Sequence, residues 1–128
     1  MIVNLPNFDN EEIMCKCGCK LTGIDPNLMI NLQAFRNMIS MSVGYAVRFI
    51  ITSGVRCAEH NKNVGGVKGS QHTKGNAVDL WSPDVDLEQL YSYACMSNLF
   101  TTIILYSKTG FVHVDNRDRK KSFWEWDK

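Results

Sequence analysis

The chain has 128 residues, 45% of them hydrophobic, and a formal net charge of +1. That is length enough for one domain with a real core, and the near-neutral balance gives no electrostatic footprint for nucleic acid or an acidic membrane surface. The longest apolar runs, such as Phe49-Ile50-Ile51, are far too short to span a bilayer, so no membrane insertion is expected. No internal repeat or low-complexity segment is visible, and a monomer is expected. Met1 to Pro6 lack a basic segment and a long apolar run, which predicts no signal peptide and synthesis in a cytoplasm. Action outside the cell then requires release by other means.

Residues 1–24 read as irregular, with at most a short helix over Asp9–Met14, where Asp9 can cap and Glu11 and Glu12 suit the first turn. The cluster Cys15-Lys16-Cys17-Gly18-Cys19 reads as a tight loop. Asp25-Pro26 is a helix start, with Asp as the cap and Pro at the first helical position. Leu28, Leu32, Phe35 and Ile39 then recur at helical spacing and predict an amphipathic helix over 26–41. Ala46 to Thr52 is β-branched and aromatic and predicts a buried strand. A short helix follows at Ala58–Asn63, and Val64 to Gly69 is a glycine-rich connector without the lysine-serine pair of a phosphate loop.

Asn76–Trp81 predicts a second strand, and Leu87, Leu90, Tyr91, Ala94 and Cys95 mark a helix over 86–98, with Cys95 a core thiol. Thr101–Tyr106 and Gly110–Asp115 predict two strands joined by a hairpin turn. Arg117 to Lys121 includes Asp118 among its basic residues and reads as a solvated turn rather than a nucleic-acid patch. Phe123-Trp124-Glu125-Trp126 either covers a sheet edge or lines a cleft, edge covering being the plainer choice.

The chemistry concentrates in Ser70-Gln71-His72-Thr73-Lys74-Gly75-Asn76-Ala77-Val78-Asp79 and in Phe111-Val112-His113-Val114-Asp115. Zinc favours imidazole nitrogen and carboxylate oxygen, and its catalytic sites use three protein ligands. His72, Asp79 and His113 make such a set. Alternation along a strand puts Ala77 and Asp79 on one face, and Phe111, His113 and Asp115 on one face of another. Ala77 is small and leaves room beside the carboxylate, while Gly75 permits a sharp turn between His72 and Asp79. Taken residue by residue, each of the three also fits an ordinary hydrogen-bonded or solvated role.

Ser70, His72, Gly75, Ala77 and Asp79, followed by His113 before Val114-Asp115, resemble the zinc signature of the M15 peptidase family. Thr52-Ser53-Gly54-Val55-Arg56 resembles the family's Ser-Gly-Tyr-Arg segment, with Val55 in place of the aromatic. Glu59-His60-Asn61 and Val64-Gly65-Gly66 resemble its small carboxypeptidase-like branch, often found in phages and prophages. The resemblance covers roughly residues 8–117. It implies zinc-dependent hydrolysis of a peptide bond in peptidoglycan stem peptides, by carboxypeptidase or endopeptidase action. It also implies His72, Asp79 and His113 as the metal ligands. Arg56 then meets a substrate carboxylate or the carbonyl oxyanion through its planar guanidinium, the other reading being a structural salt bridge. Ser70 either binds substrate or fixes its loop, and Gln71 is less defined.

One position departs from the pattern. Many relatives carry a carboxylate three residues before the last histidine ligand as general base, and here that residue is Gly110. Asp115 is the best replacement, with His60 an outside alternative for which packing or capping of its helix is the plainer reading. The other reading of Asp115 is a carboxylate that orients a ligand histidine. The departure keeps a second class of function in play, a zinc-containing binding or virion module without turnover. The cysteines are also open. Cys15, Cys17, Cys19 and Cys57 can form a second, structural zinc site, form disulfides after release, or stay free, and an odd total of five argues against a purely disulfide framework. Their one-residue spacings are tight for a zinc site. The expected architecture is α+β: a small antiparallel sheet, helices on one side, and the zinc cleft on the other.

Overall fold

The computed structural model describes residues 7, 8, 10–19, 21 and 23–126. The segment Met1 to Pro6, considered for an export signal, and Asp9, considered as a helix cap, lie outside the described residues. The described elements run α1 (Asn10–Ile13), α2 (Pro26–Val43), β1 (Ile50–Ser53), α3 (Ala58–Asn63), β2 (Ala77–Trp81), α4 (Leu87–Ser97), β3 (Thr102–Tyr106), β4 (Phe111–Asp115) and β5 (Ser122–Trp126).

Local chemistry sets the helix ends. Asp25 accepts from the Asn27 amide at the start of α2. Gly44, in the left-handed region at φ 85°, closes it two residues beyond the expected end and donates its N–H to Ser40. Asp86 and Gln89 cap α4 reciprocally, and Asn98 ends it at φ 65°. The first strand is shorter than the apolar run predicts. The Val47 amide donates to Ser40 Oγ and the Arg48 amide to Asp84 Oδ2, so side chains satisfy this backbone before the ladder begins at Ile50.

The five strands form one sheet in the order β1-β2-β4-β3-β5. Every pairing is antiparallel except β3 with β5. That exception follows from the short return after β4. The chain reverses over 116–121 and arrives beside β3, which already runs opposite to β4. The C-terminal aromatic segment therefore covers a sheet edge as a fifth strand, giving the mostly antiparallel α+β architecture.

Alternation sorts the sheet into two faces. Val78, Leu80, Ile103, Leu105, Val112 and Val114 join the core beneath α2 and α4. Phe35 of α2 packs edge-on against Phe100 at 5.6 Å and tilted against Phe49 at 5.4 Å. Cys95 is half-buried against this core. The opposite face carries Ala77 and Asp79 on β2 and His113 and Asp115 on β4, all buried.

Gly75 fixes how the His72 loop enters β2. It sits at φ 69°, its carbonyl accepts from the Asp25 amide at 2.7 Å, and an added Cβ would run into the Gly23 carbonyl oxygen. Gly110, at φ 93°, would meet nothing within 4 Å. Gly110→Ala therefore carries only backbone strain, about 1–3 kcal/mol, and Gly75→Ala is expected to lose more. Denaturant melts with unchanged m-values check this order; equal losses would refute the close approach.

Candidate metal centre

Three backbone segments bring the site together. The loop after Gly69 is fixed by Ser70, whose buried Oγ accepts from the His72 amide at 3.2 Å and whose carbonyl accepts from Thr73 Oγ1 at 2.6 Å. The segment following β1 binds this loop: the Arg56 amide donates to the His72 carbonyl at 3.0 Å. The third segment is the β2–β4 ladder, in which Asp79 lies directly opposite His113 and Ala77 directly opposite Asp115. The small Ala77 thus sits across from Asp115 and leaves room on that face.

The donor atoms converge on one point. His72 Nε2 lies 3.2 Å and His113 Nδ1 2.9 Å from the same oxygen, Asp79 Oδ1. Ligand atoms of all three residues lie within 4.8 Å of one another. The second nitrogen of each ring is already committed. His72 Nδ1 donates to the Gly54 carbonyl at 2.7 Å, and His113 Nε2 donates to Asp115 Oδ2 at 2.7 Å. In neutral rings the nitrogens facing Asp79 would then present lone pairs to a carboxylate. Lone pairs so arranged need positive charge between them, either a proton on each ring or one cation serving both.

The surrounding electrostatics match that need. Burial alone would lower the pKa of His113, but the Asp115 and Asp79 carboxylates raise it from 6.5 to about 9. Burial would push Asp79 up, yet His113 and His72 hold it well below the carboxylate range. Asp115 is likewise held down, to about 2, because His113 and Arg117 outweigh its burial. Arg117 grips it through Nη2 at 2.6 Å and Nε at 3.0 and 3.1 Å.

A profile of the family described as Peptidase M15 matches residues 6–115. The chain belongs to the M15 peptidase family. No curated protein matches it significantly. M15 peptidases are zinc-dependent metallopeptidases directed at peptidoglycan, and in this M15 chain a possible metal set, His72, Asp79 and His113, is assembled. The set fits zinc: two imidazoles and one carboxylate, with the outer nitrogens of both rings held by a carbonyl and a carboxylate.

The remaining site residues fall around this centre. Arg56 Nη2 stands 3.4 Å from Asp79 Oδ2, while Nε donates to Ser53 Oγ at 3.0 Å and Nη1 to Asn61 Oδ1 at 3.2 Å. Arg56, His60, Asp79, Trp81, Gly110 and Phe111 line one cleft of about 690 Å³. Ser70 is buried within its loop, and Gln71 Oε1 accepts from Asn76 Nδ2. Asp115 is fully buried on the far side of the His113 ring from Asp79. The roles of three participants went unread in the sequence, and one of them, Arg117, expected in a solvated turn, is bound to the buried Asp115. Arg117 carried a signal, since Asp115-Asn116-Arg117 has the two-residue spacing of one strand face. The Gly54 carbonyl carried none, because a backbone acceptor has no side-chain signature; Asn61 stood within the Glu59-His60-Asn61 resemblance, but its bond from α3 to Arg56 is visible only in the fold.

Since the folded-state pKa of His113 lies above 6.5, its proton stabilises the metal-free fold below about pH 6.5, and that stabilisation is lost as pH rises through about 9. Chelated protein is expected to melt at progressively lower temperature across this window. Zinc should restore it, by about 2.7 kcal/mol at a hundredfold excess over Kd. A flat pH profile without metal, or no thermal shift with zinc, would oppose the arrangement described.

Proposed function

We propose that this chain is a zinc-dependent metallopeptidase that hydrolyses a peptide bond in peptidoglycan stem peptides, as a carboxypeptidase or an endopeptidase. The observation that carries it is the convergence of His72 Nε2 and His113 Nδ1 on Asp79 Oδ1. Its resemblance to the phage and prophage branch supports a lytic role on the wall after release from the cell that makes it. Among the described residues no helix is long and apolar enough to cross a membrane.

His72, Asp79 and His113 would hold the zinc, which when bound supplies a Lewis acid that polarises the scissile carbonyl and acidifies water. Asp115, itself clamped by Arg117, fixes the His113 ring so that Nδ1 faces inward. Arg56 lines the cleft with its guanidinium and binds the substrate carboxylate or the developing oxyanion. Ser70 holds the His72 loop. His60 takes the proton-transfer role. Of the described residues lining the cleft, Asp79 alone is a carboxylate, and His60 is the imidazole outside the metal set.

Gly110 in that lining favours a second reading, a zinc-stabilised module that binds stem peptides without cutting them. Incubation with peptidoglycan decides between them. New amino termini that vanish with chelator, and in His113→Ala, are expected. Zinc binding without cleavage would select the module. Asp115→Asn separates the roles of that carboxylate: a positioning role costs roughly 10–100-fold in zinc affinity with turnover recovered at saturating zinc, whereas a base would lose turnover even when loaded. His60→Ala is expected to lower kcat with zinc content unchanged.

A further inference from the structure

A second cluster of metal-ligating atoms lies outside the site just described. Cys15, Cys17, Cys19 and Cys57 bring their sulfurs within 4.8 Å of one another. Three of the separations are 3.5 Å for Cys15–Cys17, 3.8 Å for Cys15–Cys57 and 3.7 Å for Cys17–Cys57. Sulfurs bound about 2.3 Å from a tetrahedral zinc stand about 3.8 Å from each other. The three thiols thus outline one face of such a tetrahedron, with Cys19 as the remaining vertex. A disulfide would join two sulfurs at about 2.05 Å, far shorter than any of these three separations.

The backbone is also arranged around sulfur. The Cys57 amide points at Cys15 Sγ at 3.4 Å, and the His60 amide at Cys57 Sγ at 3.3 Å. N–H donors of this kind stabilise thiolate over thiol. The loop is closed by the Cys15 amide on the Leu21 carbonyl at 2.9 Å, and Gly18 takes the left-handed turn at φ 95°. Cys57 meanwhile caps α3, which carries His60, and directly follows Arg56.

We propose that Cys15, Cys17, Cys19 and Cys57 bind a structural zinc ion that fastens the N-terminal loop to the segment bearing Arg56 and His60. The closed four-sulfur set leaves no vertex for water, so its role is to hold geometry. Two neighbouring contacts run the same way. The Val55 amide donates to the Ile13 carbonyl at 2.8 Å, and a Cβ on Gly54 would come 2.5 Å from that carbonyl oxygen. The metal would complete a seam that begins with backbone packing.

The test is metal content and cobalt spectroscopy on the full chain, purified under reducing conditions. Cys17 is exposed, so Cys17→Ser leaves the fold's core untouched, and Cys57→Ser keeps a good helix cap. Two zinc ions per wild-type chain are expected, falling to one in either variant. Cobalt-loaded wild type and His113→Ala should both show a near-ultraviolet sulfur-to-cobalt charge-transfer band, and Cys17→Ser should lose it. Amide exchange at 56–60 should quicken in Cys17→Ser. Absence of the band from reduced wild type, or zinc content unchanged in both cysteine variants, would overturn the proposal. Because the band reports sulfur ligands alone, it stands or falls separately from the His72, Asp79 and His113 reading.

Discussion

Two imidazole nitrogens and one carboxylate oxygen meet at 2.9 and 3.2 Å in a place from which water is largely excluded. Buried ionisable groups are stable only when their charges are balanced and their remaining donors and acceptors are satisfied. Here the outer nitrogens are satisfied by Gly54 and Asp115, and Asp115 by Arg117. The balance closes only if positive charge occupies the centre, as protons or as a divalent ion. This requirement gives the register of β2 against β4 its consequence. A slip of one residue would turn Asp79 or His113 into the apolar core.

The Gly54 to Arg56 segment ties this centre to the N-terminus. Its successive groups bond alternately: the Gly54 carbonyl takes the His72 ring, the Val55 amide goes to Ile13, and the Arg56 amide goes to the His72 carbonyl. The absence of a side chain at Gly54 lets the two strands of chain approach this closely. Arg56 then emerges with its guanidinium held by Ser53 and Asn61 and directed at Asp79. The cysteine cluster lies at the end of the same seam.

Much of the fold was legible because the sheet and helices obey simple periods. Leu28, Leu32, Phe35 and Ile39 mark the buried stripe of α2, and alternation along 77–81 and 111–115 assigns Asp79 and His113 to the face away from the core. The start of α2 followed the cap chemistry read at Asp25, whereas the Asp86 cap of α4 was found only in the structure. The strand before Ser53 was over-read, since Val47 and Phe49 enter the core while the backbone at 47 and 48 bonds to the side chains of Ser40 and Asp84 instead of a ladder partner. Direction was also hidden at the C-terminus, because an aromatic segment carries no mark of which strand it will pair with.

By itself the sequence determined the donor types, their alternation, the glycine turn before β2 and the resemblance that names a family. Those properties are local, fixed by side-chain chemistry and backbone freedom at each position. Only the tertiary structure decided which nitrogen of each histidine faces Asp79, that Asp115 lies behind His113 with Arg117, and that Cys57 meets three cysteines some forty residues earlier. These depend on pairings between distant segments. Ring orientation is set by what the opposite nitrogen finds, and that partner is supplied by another part of the chain.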